Sequence, residues 1–350
     1  MRGVFRLVVC IVGLVVVACG QPATPTPAPT APAAKPTTAP AVSPAASPAA
    51  SPAASPAAAA ASPVAKPAAS PAAAASPSPA GADVTASLRP PATMPQPGNM
   101  PAGSYMRTIQ DRGMLQAGVR QDVPLTGFLN PRTNQIEGFD IEFVKAITRA
   151  ILGDESKVEL KPVTAAARIP ALQDGTVDMV AAAMTITADR KNQIDFSEVY
   201  YQAGDRVLVK SDSPYNSLQD LSDKRVCTVK GSTAEQNIPA ANPRAQVVQA
   251  DTYNECLLSL QQGRVDAIST DDVILSGLAQ QDPSTKLVGP KFTDEPYGIG
   301  VAKGHAEFVA FINGVIQQMK ADGRWKQAYD TWFGRFAGPA PEPPRGTYTN

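Results

Sequence analysis

Two arginines bracket the stretch ARIPALQDGTVDMVAAAMTITADR: Arg168 stands near its start and Arg190 at its end, around an apolar centre. The stretch holds no histidine, no cysteine and no paired nucleophile and base, so its chemistry is recognition of charge. A guanidinium is a planar fork of donors that suits a carboxylate. Other polar residues follow short apolar runs in the same way. Arg120 follows MLQAGV (114–119), Thr185 and Thr187 follow VDMVAAAM (177–184), Gly231-Ser232-Thr233 follows RVCTV (225–229), and Asp271-Asp272 follows VDAIS (265–269). Asp271 or Asp272 would receive a cation. Each residue also has an ordinary reading: a solvated arginine, Ser or Thr capping the helix TAEQNI, an aspartate capping DVILSGLAQ.

The apolar runs read as buried strands. In doubly wound α/β sheets ligands sit beyond the carboxyl ends of the strands, which is where these polar residues fall. An internal repeat sets the larger plan. ALQDGTVDMVA (171–181) and SLQQGRVDAIS (259–269) share L-Q-x-G-x-V-D, 88 positions apart. Each reads as a helix end, a glycine just past it and a short strand. One α–β unit used twice predicts two similar α/β lobes.

The 350 residues include 35 prolines and carry 31 basic against 31 acidic side chains. A net charge of zero gives no electrostatic case for nucleic acid as a partner. His305 is the single histidine and no CxxC occurs, so a zinc site is not expected, and no metal or cofactor is predicted. Arg2 and Arg6 precede an apolar run, Leu7 to Ala18, too short to span a bilayer as a helix and suited to a signal peptide. From 21 to 103 the composition is mostly Ala, Pro, Ser and Thr, with SPAA repeated. Frequent proline and small side chains predict a disordered tether there, and a second Pro-rich stretch at 337–350 predicts a disordered tail.

The leader ends VVAC-G, which resembles the bacterial lipobox. That resemblance implies that Ala18 is the last residue removed and that Cys19 is lipidated. Cys10 leaves with the leader, so Cys227 and Cys256 remain in an oxidising setting. Two such cysteines most often pair, the alternative being two separate buried thiols.

Residues 105–336 resemble the extracytoplasmic solute-binding proteins of polar-amino-acid ABC importers. The resemblance rests on GFDIEFVKAI (138–147), TITADRKNQIDFSEVYY (185–201), VKGSTAEQNI (229–238), VDAISTDDVILSG (265–277) and EPYGIGVAKG (295–304), in order. It implies a type II periplasmic-binding-protein fold, two α/β lobes joined by a two-strand hinge. The implied boundaries are a signal peptide at 1–18, a tether at 19–103, lobe 1 at 104–205 and 298–336, lobe 2 at 206–297 and a tail at 337–350. The chain would cross between lobes near 203–207 and 296–299. The family implies that Arg190, helped by Thr185, clamps the ligand α-carboxylate, that Asp271 takes the α-ammonium, and that Thr233 adds a contact. Ala183 stands where many relatives have a serine. Glutamate/aspartate binders have basic residues at the positions of Arg120 and Arg168, which would then hold a second carboxylate at the other end of the ligand.

The resulting expectation is a monomeric, lipid-anchored protein on the extracytoplasmic face of the bacterial membrane. It captures glutamate or aspartate and delivers it to an ABC importer permease. Alternatives are a glutamine or asparagine binder of the same importer class, or an enzyme or sensor on the same fold. Catalysis is not expected, because the candidate residues offer no titratable group poised near neutrality. Trp325, Tyr329, Trp332 and Phe333 are read as core-facing helix residues.

Overall fold

A computed structural model describes residues 83–349. The signal peptide, Cys19 and most of the Ala/Pro/Ser-rich stretch lie outside the described residues. Two five-stranded sheets of the same order form the two lobes. In the first the order is Val158–Pro162, Leu115–Val119, Met179–Ala181, Gly300–Val301, Asp195–Phe196. In the second it is Gln246–Ala250, Arg225–Val229, Ala267–Asp271, Asp205–Lys210, Thr285–Val288. In each sheet the first three strands are parallel and the fourth runs antiparallel. That fourth strand lies just past a crossing between lobes. Tyr201–Ala203 pairs antiparallel with Glu295–Tyr297 as a separate two-stranded hinge.

The repeat accounts for the shared design. The helices Arg168–Gln173 and Tyr253–Gln261 are each followed two residues later by a left-handed glycine, Gly175 at φ 73° and Gly263 at φ 68°. The repeat aspartates then do the same structural task. Asp178 accepts from the Gln116 amide at 2.7 Å, and Asp266 from the Arg225 amide at 2.8 Å. Each carboxylate thus fastens the start of the neighbouring parallel strand.

Helices cover both faces of each sheet. Phe139–Leu152 and Ala306–Ala321 bury apolar stripes against the first sheet. Trp325, Tyr329 and Phe333 are buried as expected, while Trp332 is half-buried; the Trp325 indole donates to Tyr200 O at 2.8 Å. Cys227 and Cys256 form a disulfide that joins the strand Arg225–Val229, second in its sheet, to the helix Tyr253–Gln261. Among the described residues no helix is long and apolar enough to cross a membrane.

The expectation of disorder through residue 103 and from residue 337 is corrected at both ends. Ser87 and Tyr348 form a parallel bridge, with Ser87 N donating to Thr347 O at 2.8 Å and Thr349 N to Ser87 O at 2.9 Å. The Asn313 amide holds Leu88 O at 2.7 Å, Met100 is buried, and Lys320 donates to Pro344 O at 2.6 Å. Composition failed as a guide here because the ordering groups belong to lobe 1. Its Asn313, Gln317 and Lys320 satisfy backbone and side-chain acceptors that the segments could not pair themselves.

Candidate functional site

A narrow cleft lies between the lobes. Arg120, Arg168, Thr185 and Arg190 line it from lobe 1, and Thr233, Tyr253 and Asp271 from lobe 2. All six ligand-contact residues expected from the sequence therefore meet in one place. Each comes from the carboxyl end of a strand, the loop beyond it or the first turn of the helix that follows, so the sheet order gathers them.

Arg168 is 3% exposed and opens its helix. Its Nε donates to Ala165 O, its Nη1 to Ala182 O and Ala183 O, and its Nη2 to Gly231 O, all at 3.0 Å. Burial, with Arg190 and Arg120 adding repulsion, lowers its pKa to about 9, which leaves it charged at neutral pH. Arg190 lies in the helix Ala188–Gln193, which the Thr187 hydroxyl caps by accepting from the Arg190 amide at 3.2 Å. Its Nη1 donates to Thr185 O at 2.7 Å and its Nη2 to Gly231 O at 2.9 Å. Burial lowers the Arg190 pKa, while Glu295 and Asp271 act to raise it.

Gly231 belongs to lobe 2, so both arginines reach across the cleft to one carbonyl. Its φ is 79°, and a Cβ there would lie 2.7 Å from Ala166 Cα in lobe 1. Only glycine permits that conformation together with that approach. The lobes also meet where Arg120 lies over the Tyr253 ring, 5.6 Å from its centroid. The arrangement is a closed one.

Arg120 is already paired. Its Nε and Nη2 donate to the two Asp122 carboxylate oxygens at 2.8 and 2.7 Å. Sequence reading missed Asp122, although two residues of separation at a strand end was a usable signal. Tyr253, Glu295 and Asn237 were missed as well, because their partners are distant in sequence.

Asp271 ends its strand and is 5% exposed. It precedes the helix Asp272–Gln281 but makes no side-chain cap, whereas Asp272 pairs with Lys291 at 3.0 Å. Asp271 Oδ1 and the Tyr297 hydroxyl are buried without a well-aligned hydrogen bond among the described residues, although the hydroxyl lies near enough to Asp271 to act against the rise in its pKa. Burial and the neighbouring Asp205 and Glu295 carboxyls push the Asp271 pKa well above the usual range. A buried, unpaired carboxylate oxygen is costly, and a cation placed against it would relieve that cost. Thr233 does not cap its helix either; its hydroxyl donates to Glu295 at 2.7 Å. The Asn237 amide bridges Asp205 and Glu295, at 2.7 Å to each.

A deeper carboxylate shapes the floor. Asp140 accepts from the Ala183 amide and from the Tyr200 hydroxyl, both at 2.8 Å, and burial raises its pKa to about 6. It holds Ala183 at φ 46°, so that the carbonyls of 182 and 183 face Arg168. Among the described residues no group of three or more His, Cys, Asp or Glu side chains is placed to hold a metal.

Comparison with known proteins agrees with this architecture. Over 229 residues the chain is 43% identical to the ABC transporter glutamine-binding protein GlnH of Bacillus subtilis (strain 168), covering 65% of this chain and 84% of that one. It is 33% identical over 242 residues to the glutamate-binding protein GluB of Corynebacterium efficiens, covering 66% of this chain and 82% of that one. Among solved structures, an ancestral arginine-binding protein bound to glutamine matches with a TM-score of 0.59 and 39% identity, over 64% of this chain and 99% of that one. The family model of the bacterial extracellular solute-binding proteins, family 3, matches residues 115–335. With more than half of its length matched and a cleft built from strand ends of two lobes, the chain belongs to that family.

Proposed function

We propose that this protein captures glutamine outside the cytoplasm and delivers it to an ABC importer permease. The observation that carries the reading is the opposition, in one cleft, of the Arg190 guanidinium and the unpartnered Asp271 oxygen. These are the two charges an α-amino acid head requires, a cation for its carboxylate and an anion for its ammonium. A ligand carboxylate would compete with Gly231 O for the Arg190 and Arg168 donors. Lobe closure would then be part of binding.

Glutamine is preferred to an acidic ligand for two reasons. Glutamine-binding relatives are 43% and 46% identical to this chain, against 33% for a glutamate-binding one. The acidic reading also needed Arg120 and Arg168 for a second carboxylate. Arg168 instead gives its donors to backbone carbonyls, and Arg120 is neutralised by Asp122. Anchoring through lipidated Cys19, with the leader removed after Ala18, completes the proposal. Calorimetric titration against glutamine, glutamate, asparagine, aspartate and arginine tests it. Stoichiometric glutamine binding without turnover is expected, and tighter binding of glutamate would overturn the glutamine assignment.

A further inference from the structure

We infer that Asp122 is a specificity-determining residue, one that turns the cleft from a carboxylate site into a carboxamide site. The inference rests on the glutamine reading and supplies its physical cause.

Three guanidinium groups line the cleft, and they are spent differently. Arg168 gives four hydrogen bonds to backbone carbonyls, and Arg190 gives two. Their positive charge is solvated by dipoles and not cancelled. Among the described residues, Arg120 is the one of the three with a carboxylate in ion-pair distance. The pair is two-pronged, Nε to Oδ1 and Nη2 to Oδ2, and both side chains are largely out of solvent, at 3% and 14% exposure. Such fork-on-fork geometry fixes the guanidinium as well as neutralising it.

The position of the pair matters. Arg190 holds Thr185, which forms an isolated antiparallel bridge with Tyr297 of the hinge, beside Asp271. Arg120 instead lies against the face of Tyr253. An amino-acid head held between Arg190 and Asp271 would therefore send its side chain toward the Arg120–Asp122 pair. A γ-carboxylate arriving there meets a cation already matched, with a second carboxylate behind it, and loses its water without a compensating charge. A carboxamide carries no charge to compensate, and a neutral pair with a spare donor suffices for its oxygen.

The experiment is a set of calorimetric titrations at neutral pH with L-glutamine and L-glutamate, each pair run on one preparation. The proteins are wild type, Asp122→Asn and the double variant Asp122→Asn/Arg120→Gln. Wild type is expected to prefer glutamine. Asp122→Asn frees the Arg120 charge, so the affinity ratio should move toward glutamate by about 10- to 100-fold. The double variant removes that charge again and should restore the wild-type order. Should Asp122→Asn not fold, Asp122→Ser carries the same expectation. A wild type that prefers glutamine, with a ratio unmoved in the Asp122 variants, overturns this inference and leaves the glutamine reading standing. A shift toward glutamate that persists in the double variant also overturns it. A wild type that prefers glutamate overturns both.

Discussion

Arg190 is joined to Gly231 across the cleft by a hydrogen bond of 2.9 Å from its Nη2 to the glycine carbonyl. Arg168 reaches the same oxygen at 3.0 Å. Two groups that touch one atom are neighbours. That proximity favours a shared role at one end of a ligand over the expectation that they grip opposite ends, and the alanine variants of both test the choice. Arg168→Ala and Arg190→Ala should each weaken glutamine and glutamate together, by about 30-fold or more. Arg168→Ala should also cost stability of about 1–3 kcal/mol, because it strips donors from the buried carbonyls of Ala165, Ala182 and Ala183. Titration of both ligands on both variants is the check, and a loss confined to glutamate would restore the original division.

Gly231→Ala should uncouple closure from folding. The added methyl meets Ala166 of the other lobe, and φ 79° is strained for any residue with a Cβ. The clash is felt only where the lobes come together, whereas the left-handed strain, of about 1 kcal/mol, stays in lobe 2 throughout. Affinity should fall about 5- to 150-fold, while the melting temperature of the unliganded protein falls by only about 2–4 °C from the local strain. Small-angle scattering should show less compaction on adding ligand; full compaction with unchanged affinity would contradict the close approach.

Proton linkage follows from the buried carboxyls. Burial raises Asp205 to about 7, with Glu295 adding to the shift, and Asp140 to about 6. Both lie above the value of about 3.9 expected for an unfolded aspartate. The folded state thus holds protons that the unfolded state has lost. That contribution to stability is complete below about pH 4 and disappears as pH rises through 6 to 7. Asp205→Asn should flatten the upper part of the melting profile. A ligand ammonium favours the ionised form of Asp271, whose pKa burial raises, so binding should release protons and strengthen as pH rises. Calorimetry in buffers of different ionisation enthalpy reads the release directly, and Asp271→Asn should reduce it along with the affinity.

The C-terminal strap should matter for stability and not for recognition. Tyr348 and Gln317 both bond to Glu198, which is buried with Lys320, and Lys320 also holds Pro344 O. Deleting residues 344–350 should destabilise lobe 1 by about 1–3 kcal/mol, read as a lower melting temperature, with glutamine affinity retained. An unchanged melting temperature would mean that the strap merely rests on the surface.

What the sequence disclosed, it disclosed through local pattern. L-Q-x-G-x-V-D repeated because both lobes need a left-handed glycine after a helix and an aspartate to fasten the next strand. The cleft residues were legible because strand ends in such sheets converge. The ion pair of Arg120 with Asp122 was also local, yet reading each residue for what it might offer a ligand hid what it gives its neighbour. Arg168 looked free for the same reason: carbonyl acceptors leave no mark in a sequence. The ordered segments at 83–103 and 338–349 were illegible because their order is imposed by Asn313, Gln317 and Lys320, far away in the chain.

The bridge between Ser87 and Tyr348 has a mechanical meaning. Both ends of the described chain are sewn to lobe 1, and lobe 2 is a loop of that lobe, leaving and returning through Tyr201–Ala203 and Glu295–Tyr297. A pull applied at Asp83 passes through Ser87 into Asn313 and the Ala306–Ala321 helix. The load never crosses the hinge. Tension at the amino-terminal side would drag the whole receptor without prising its jaws apart, and the bite on the ligand is left to the chemistry of the cleft.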